Sequence, residues 1–372
     1  THPRDRPCGY LHRSDRGLHP STSRAAATRE GKRNAAAMKR ESASSGFYTP
    51  KPKGASISPQ ERAYELIAAS REGDAKKVRR LLARATANLY INGREKSWTA
   101  LHEACDFGHV AVVKLLLGKG ADTELRDKDQ MTALHWASMN GHAEVVKLLM
   151  EMGTDIEAKD KNLDTALHLS SWKGHTEVAR LLLEAGAFTE HRQEETWTSL
   201  QLAAKYGQAG VVKLLLDHGA HVEVRDKNNW TPLHWACDPG YIRVVSLLLK
   251  GGADLEARDS DEMTPLHWAC KTGRGPVVRV LLEMGADLEA LNEDLKTPLQ
   301  IAKNKAVKVL IRKHLEAQRQ PAAIHSPIPS PSHCAIHSNI NSHINSSNNN
   351  SNNNIPNNTN HNSKKSKHSP SP

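Results

Sequence analysis

Histidine is the side chain best suited to chemistry in this sequence, and it recurs in register. His102, His135, His168, His234 and His267 stand 33 residues, or a multiple of 33, apart, with Gln201 and Gln300 in the remaining places. A neutral imidazole can ligate a metal or carry a proton. A primary amide can replace its hydrogen bonds but is a poor ligand. The exchange of His for Gln therefore predicts links between loops, not catalysis. Cys105, Cys237 and Cys270 share a second register whose other members are Ser138, Ser171 and Ala204. Such a slot predicts a small buried packing position. Equivalent positions in stacked helices lie about 8–10 Å apart, beyond the roughly 7 Å reach of a disulfide. Glu103 follows His102, but no second histidine completes a zinc helix, and the sequence has no G-x-x-x-x-G-K-[ST], no G-x-G-x-x-G after a strand and no G-x-S-x-G. A non-enzyme without cofactor or metal is expected.

The elements that carry these registers follow from one repeated unit. Thr99, Thr132, Thr165, Thr198, Thr231, Thr264 and Thr297 recur every 33 residues. In Lys128 to Asp160 the threonine leads a short apolar run with Leu134, Trp136 and Ala137. Gly141, nine residues after the threonine, ends that run and turns the chain. Val145, Val146, Leu148 and Leu149 then fall on one stripe of a second helix, which Gly153 closes. Each unit reads as helix, turn, helix and extended loop. Two short helices cannot bury their own leucines, so units must stack.

The pattern T-[PA]-L-H-x-A, G-H, V-V-x-L-L-L, G-A-D resembles the ankyrin repeat, residue by residue in Thr132, Leu134, His135, Ala137, Gly141, His142, Val145, Val146, Leu148, Leu149 and Gly153. The resemblance covers about two thirds of the chain. It departs in the loop, where Ser97, Gln130, Leu163, Thr196, Asn229, Glu262 and Leu295 replace the family's glycine and Glu124, Glu157, Glu190, Glu223, Glu256 and Glu289 replace its asparagine. It implies an all-α ankyrin-repeat solenoid that binds proteins. The position before the threonine would sit on hairpin fingers facing a concave side, bordered by the ends of the first helices. Trp98, Phe107, Met131, Met139, Trp172, Trp197, Tyr206, Trp230 and Met263 would then form a continuous apolar and aromatic stripe for a partner. Trp136, Trp235 and Trp268 alternate with Leu169, Leu202 and Ile301, which predicts core. Arg126, Lys159, Arg192, Arg225 and Arg258, beside Asp127, Asp160, Asp226 and Asp259, are expected as a solvated charge ladder.

Capping-box residues Ser58, Pro59 and Glu61 mark the start of order. The division expected is a basic disordered segment at 1–57, a degenerate capping repeat at 58–93, six full repeats at 94–291, a C-terminal cap at 292–318 and a disordered tail at 319–372. The first cap should face solvent with Arg71, Lys76, Lys77, Arg79 and Arg80. The last has Ala306 where the other units have glycine. Asn339 to Asn362 holds 13 asparagines in 24 residues, a composition that builds no core. The sequence opens on Thr1, and Met38 is its first methionine, an expected alternative start.

Net charge is +10. Residues 1–60 hold 12 basic and four acidic side chains and residues 316–372 four and one, which leaves 35 and 36, net −1, between them. The repeats should therefore not bind nucleic acid, and a steep salt dependence confined to 1–60 would mark the alternative of a nuclear regulator. No membrane span, a monomer, and a cytoplasmic or nuclear site are expected, the last because five cysteines without a C-x-x-C suit a reducing compartment. The function expected is a protein-binding scaffold or adaptor, or else the targeting subunit of an enzyme.

Overall fold

The computed structural model describes residues 58–84, 90–95 and 97–319. Expectations for the two ends of the chain, including Met38, Cys8, Cys334 and the asparagine tract, lie outside the described residues. Within them the chain forms eight helix pairs. These are α1 (Pro59–Glu72) with α2 (Ala75–Leu82), α3 (Ala100–Asp106) with α4 (Val110–Leu117), α5 (Ala133–Met139) with α6 (Ala143–Glu151), and α7 (Ala166–Lys173) with α8 (Thr176–Glu184). Then follow α9 (Ser199–Lys205) with α10 (Ala209–Asp217), α11 (Pro232–Cys237) with α12 (Ile242–Lys250), α13 (Pro265–Thr272) with α14 (Gly275–Glu283), and α15 (Pro298–Ile301) with α16 (Lys305–Arg319).

Most of these helices have only six to nine residues, too short to persist alone in water. Stacking stabilises them: each first helix packs on the first helix of the next pair, and each second helix on the next second helix. The resulting two layers enclose one continuous core. Leu134, Ala137, Val145, Val146 and Leu149 are each at most 1% exposed, and the same registers are buried in the neighbouring units. Each such leucine is worth roughly 1.5–3 kcal/mol of burial.

The helix ends are fixed by the registers seen in sequence. Each threonine from Thr99 to Thr297 caps a first helix in a capping box whose third residue is the histidine or glutamine of the T-x-x-[HQ] motif. Ser58 and Glu61 do the same for α1, with Glu61 N–H donating to Ser58 Oγ at 3.2 Å and Ser58 N–H to the Glu61 carboxylate at 2.8 Å. Gly141 has φ 77°. A Cβ there would also lie 2.4 Å from His175 Nδ1, so both conformation and a neighbouring ring demand glycine.

The last pair departs from the period. Its second helix begins eight residues after the capping threonine, against 11 in the third pair (Thr132 to Ala143). Ala306 therefore lies inside α16, and no turn glycine is needed there. Arg71 is also not simply solvent-facing: its guanidinium pairs with the buried Glu103 carboxylate of the next unit.

Between pairs the chain makes a two-legged finger in which Asp127 N–H donates to Met131 O at 3.0 Å and Gln130 N–H to Asp127 O at 3.1 Å. The residue at the bend is left-handed in every finger: Ser97, Gln130, Leu163, Thr196, Asn229, Glu262 and Leu295 have φ between 55° and 72°. Thr196, β-branched, is the most strained type among them. The departure from glycine thus changes the residue and its strain, not the turn.

Candidate functional site

The histidine register links units. Thr132 N–H donates to His135 Nδ1 at 3.1 Å, which leaves Nδ1 unprotonated and the proton on Nε2. Nε2–H then donates to Asp164 O in the next finger at 3.1 Å. His102, His234 and His267 reach Met131, Met263 and Lys296 carbonyls in the same way, at 3.2, 3.0 and 3.1 Å. Gln201 reproduces both contacts, its Oε1 accepting from Thr198 N–H at 3.0 Å and its amide donating to Trp230 O at 3.1 Å. Burial pushes His135 and His168 down to about 4, and lowers His102, His234 and His267 as well. A second set, His109, His142 and His175, ties the turns backward to Arg71, Asp106 and Met139 carbonyls. The cysteine slot is also structural. Cys105, Cys237 and Cys270 are fully buried thiols, and burial raises all three, Cys270 to about 12. Among the described residues no three of His, Cys, Asp and Glu converge on a potential metal site.

The expected solvated charge ladder is corrected at its aspartates, while Arg192 and Arg225 stay exposed. Asp127, Asp160, Asp226 and Asp259 are buried, at 3–6% exposure. One carboxylate oxygen of Asp226 accepts from Asn228 and Trp230 N–H at 2.9 Å each, and the other from the Trp235 and Trp197 indoles at 3.0 and 3.2 Å. Trp136 and Trp268 donate likewise to Asp127 and Asp259, at 3.0 and 2.7 Å. Buried carboxylates are tolerable because they collect N–H donors, four on Asp226 and three each on Asp127 and Asp259. The arginines bridge fingers: Arg126, Arg225 and Arg258 donate to Lys159, Arg258 and Leu291 carbonyls at 2.6, 2.7 and 2.5 Å, and Arg192 to Arg225 O at 2.8 Å. The glutamates accept from the next unit, as Glu124 does from Asp155 N–H at 3.1 Å. A signal for the aspartates was present in sequence. Their register continues as Gln193 and Asn292, so the acceptor is kept where the charge is not.

The residues expected to form one stripe lie at two depths. Met131, Met139, Met263 and Trp197 are buried, at 0, 1, 2 and 9% exposure, which corrects their expected exposure; Met131 and Met139 pack with Trp136 and Leu169. Trp98, Trp172, Tyr206 and Trp230 are half-buried, and Phe107 is 51% exposed. Trp136 and Trp268 are buried as expected, but Trp136 packs with Met131, Met139 and Leu169 in a cluster beside the leucine core, and Trp235 is only half-buried. The indoles form a ladder. Ring centroids lie 4.7 Å apart for Trp98–Trp136, 4.5 Å for Trp230–Trp235, 4.4 Å for Trp230–Trp268 and 5.2 Å for Trp197–Trp235. It is interrupted at the α7–α9 junction, where Leu169 and Leu202 replace tryptophan and border a small notch with Trp172, Trp197 and Tyr206. The model of ankyrin repeats (3 copies) matches residues 56–127, 119–193 and 188–259, and that of ankyrin repeats (many copies) matches 247–302.

The chain belongs to the ankyrin repeat family.

Its ankyrin solenoid is similar to the ankyrin repeat domain of Bcl-3, described as a unique member of the IkappaB protein family, at 30% identity and TM-score 0.52 over 59% of this chain and 100% of that one. It is similar also to the human ASB11 ankyrin repeat domain, at 26% identity and TM-score 0.54 over 58% and 98% of the two chains. Oxysterol-binding protein-related protein 1 from Rattus norvegicus and from Mus musculus is each 41% identical over 73 residues, 18% of this chain but 8% of theirs. The chain thus matches under a tenth of the length of these curated relatives. Ankyrin repeats are generally protein–protein interaction modules. No helix among the described residues is long and apolar enough to cross a membrane.

Proposed function

We propose that the ankyrin solenoid is a non-catalytic scaffold or adaptor that docks a partner protein on the face carrying Trp98, Phe107, Trp172, Tyr206 and Trp230. The observation that supports this most is the division of the stripe by depth. Buried Met131, Met139, Trp197 and Met263 form a floor, and half-buried Trp98 and Trp230 stack on Trp136, Trp235 and Trp268, whose own indoles are anchored on buried aspartates. Rings fixed in this way lose little rotamer freedom on binding, and tryptophan and tyrosine dominate interface energetics. The same reading makes the protein a monomer in a reducing compartment, cytoplasm or nucleus, where three unpaired thiols persist.

The test compares the full chain with Phe107→Ala/Trp172→Ala/Trp230→Ala in affinity capture from the source cell. A control carries Met152→Ala/Met284→Ala at exposed ends of second helices. The proposal expects a captured protein that the control retains and the triple variant loses while its circular dichroism is unchanged. Equal capture by all three chains would move the docking site away from the tryptophan face.

A further inference from the structure

Three lysines are seated on the tryptophan face. Lys173 Nζ lies 4.2 Å from the Trp172 ring centroid and Lys271 Nζ lies 4.2 Å from that of Trp268. Lys205 Nζ lies 3.7 Å from Trp197, 4.5 Å from Trp235 and 5.8 Å from Tyr206. All three come from the last turns of first helices α7, α9 and α13 and are half-buried. Lys173 and Lys271 make no ion pair with a carboxylate among the described residues. The nearby finger aspartates Asp226 and Asp259 are buried and occupied by indole and backbone N–H donors. The ammonium groups are thus held in fixed places by the rings beneath them. Two acidic residues, Asp106 and Asp238, stand in the same register as Lys205 and Lys271, and Asp106 accepts from the Asn140 amide at 2.9 Å.

We infer that the partner segment docked on this face is acidic, with carboxylates that meet Lys173, Lys205 and Lys271. The inference rests on the docking reading given above. Charge complementarity selects the occupant: three ring-seated cations, with only Asp238 between the last two in their register, stand together on repeats whose total, these lysines included, is net −1. The chain's own ends do not match it. Residues 320–372 contain three lysines and no Asp or Glu, and residues 1–57 hold 12 basic against four acidic side chains. A single-stranded nucleic acid, which would also favour cations and aromatic rings, is disfavoured because the lysines lie over the ring faces on which bases would stack. Lys173 and Lys205 belong to adjacent repeats, about 10 Å apart, which an extended chain spans in about three residues. The notch of Leu169, Trp172, Trp197, Leu202 and Tyr206 lies between them and suits a small apolar side chain. The segment therefore has acidic residues at a spacing of three with an apolar residue between.

The experiment selects random twelve-residue peptides displayed on phage against the full chain, then measures each by fluorescence anisotropy. Lys173→Glu/Lys205→Glu/Lys271→Glu is measured beside the milder Lys173→Gln/Lys205→Gln/Lys271→Gln, in case charge reversal disturbs folding. Enrichment of Asp and Glu at a spacing of three is expected. The Glu variant should bind such peptides at least about tenfold more weakly, with a smaller loss for Gln. Apolar peptides without acid that still fail on Phe107→Ala/Trp172→Ala/Trp230→Ala would overturn the charge inference and leave the docking face standing. Peptides indifferent to both sets of variants would overturn both. Tighter binding of oligo-dT than of any peptide, abolished by the Glu variant, would overturn it in favour of nucleic acid.

Discussion

Acidification should weaken this solenoid through its buried histidines, and the effect can be worked out residue by residue. His135 and His168 stand at about 4 when folded, against 6.5 for the free side chain. The cause is geometric as well as dielectric: Nδ1 accepts a threonine N–H, so a proton there would face a donor. A base depressed by folding contributes stability that is complete above pH 6.5 and is lost as pH falls toward 4, because the unfolded chain binds the proton first. Between pH 7 and pH 5 each histidine should therefore cost about 2 kcal/mol, or about 4 for the pair. The control is built into the protein. Gln201 makes both contacts without titrating. Urea unfolding midpoints at the two pH values should fall steeply for the wild type and much less for His135→Gln/His168→Gln. An equal fall in both, or a wild type more stable at pH 5, would refute the tautomer argument.

Thr196→Gly should stabilise by about 1 kcal/mol, since it relieves a β-branched residue at φ 69° against the entropic cost of glycine, and a lower urea midpoint would contradict this. Gly141→Ala should cost about 2 kcal/mol or more, combining φ 77° with a clash on His175, whereas Gly153→Ala, at φ 78° with open space, should cost only about 1. Equal losses in thermal melts would mean that the ring yields freely. Lys159→Arg should restore the one arginine bridge missing from the series, to the carbonyl of Arg192, and raise stability by about 1 kcal/mol. Hydrogen exchange in the 192–197 finger should slow correspondingly, and unchanged exchange would show that the bridge does not form.

Period and residue type alone were enough for the solenoid. A threonine, a turn glycine and a valine–leucine stripe at fixed spacing admit little besides stacked helix pairs, and the His-to-Gln exchange already separated linkage from catalysis. The candidate site was less legible. The tryptophans and methionines before threonines share one register in sequence, but spacing could not rank their depth. Met131 and Trp98 share a register, yet one is buried and the other half-buried. The difference comes from the residue five places on: Trp136 packs on Met131, while Glu103, paired with Arg71 of the preceding unit, holds the equivalent place after Trp98.

By itself the sequence determined the repeat, its threonine caps and its turns, because each depends on residues three to ten apart along the chain. Only the tertiary structure decided the contacts made across a repeat. Asp226 looks like one member of a surface ion ladder until Trp197, 29 residues earlier, and Trp235, nine residues later, are brought to the same carboxylate. Lys205 looks like a solvated charge until stacking places three aromatic rings beneath it. The physical reason is that burial belongs to pairs of units: one repeat leaves these groups in water, and the next takes them out of it.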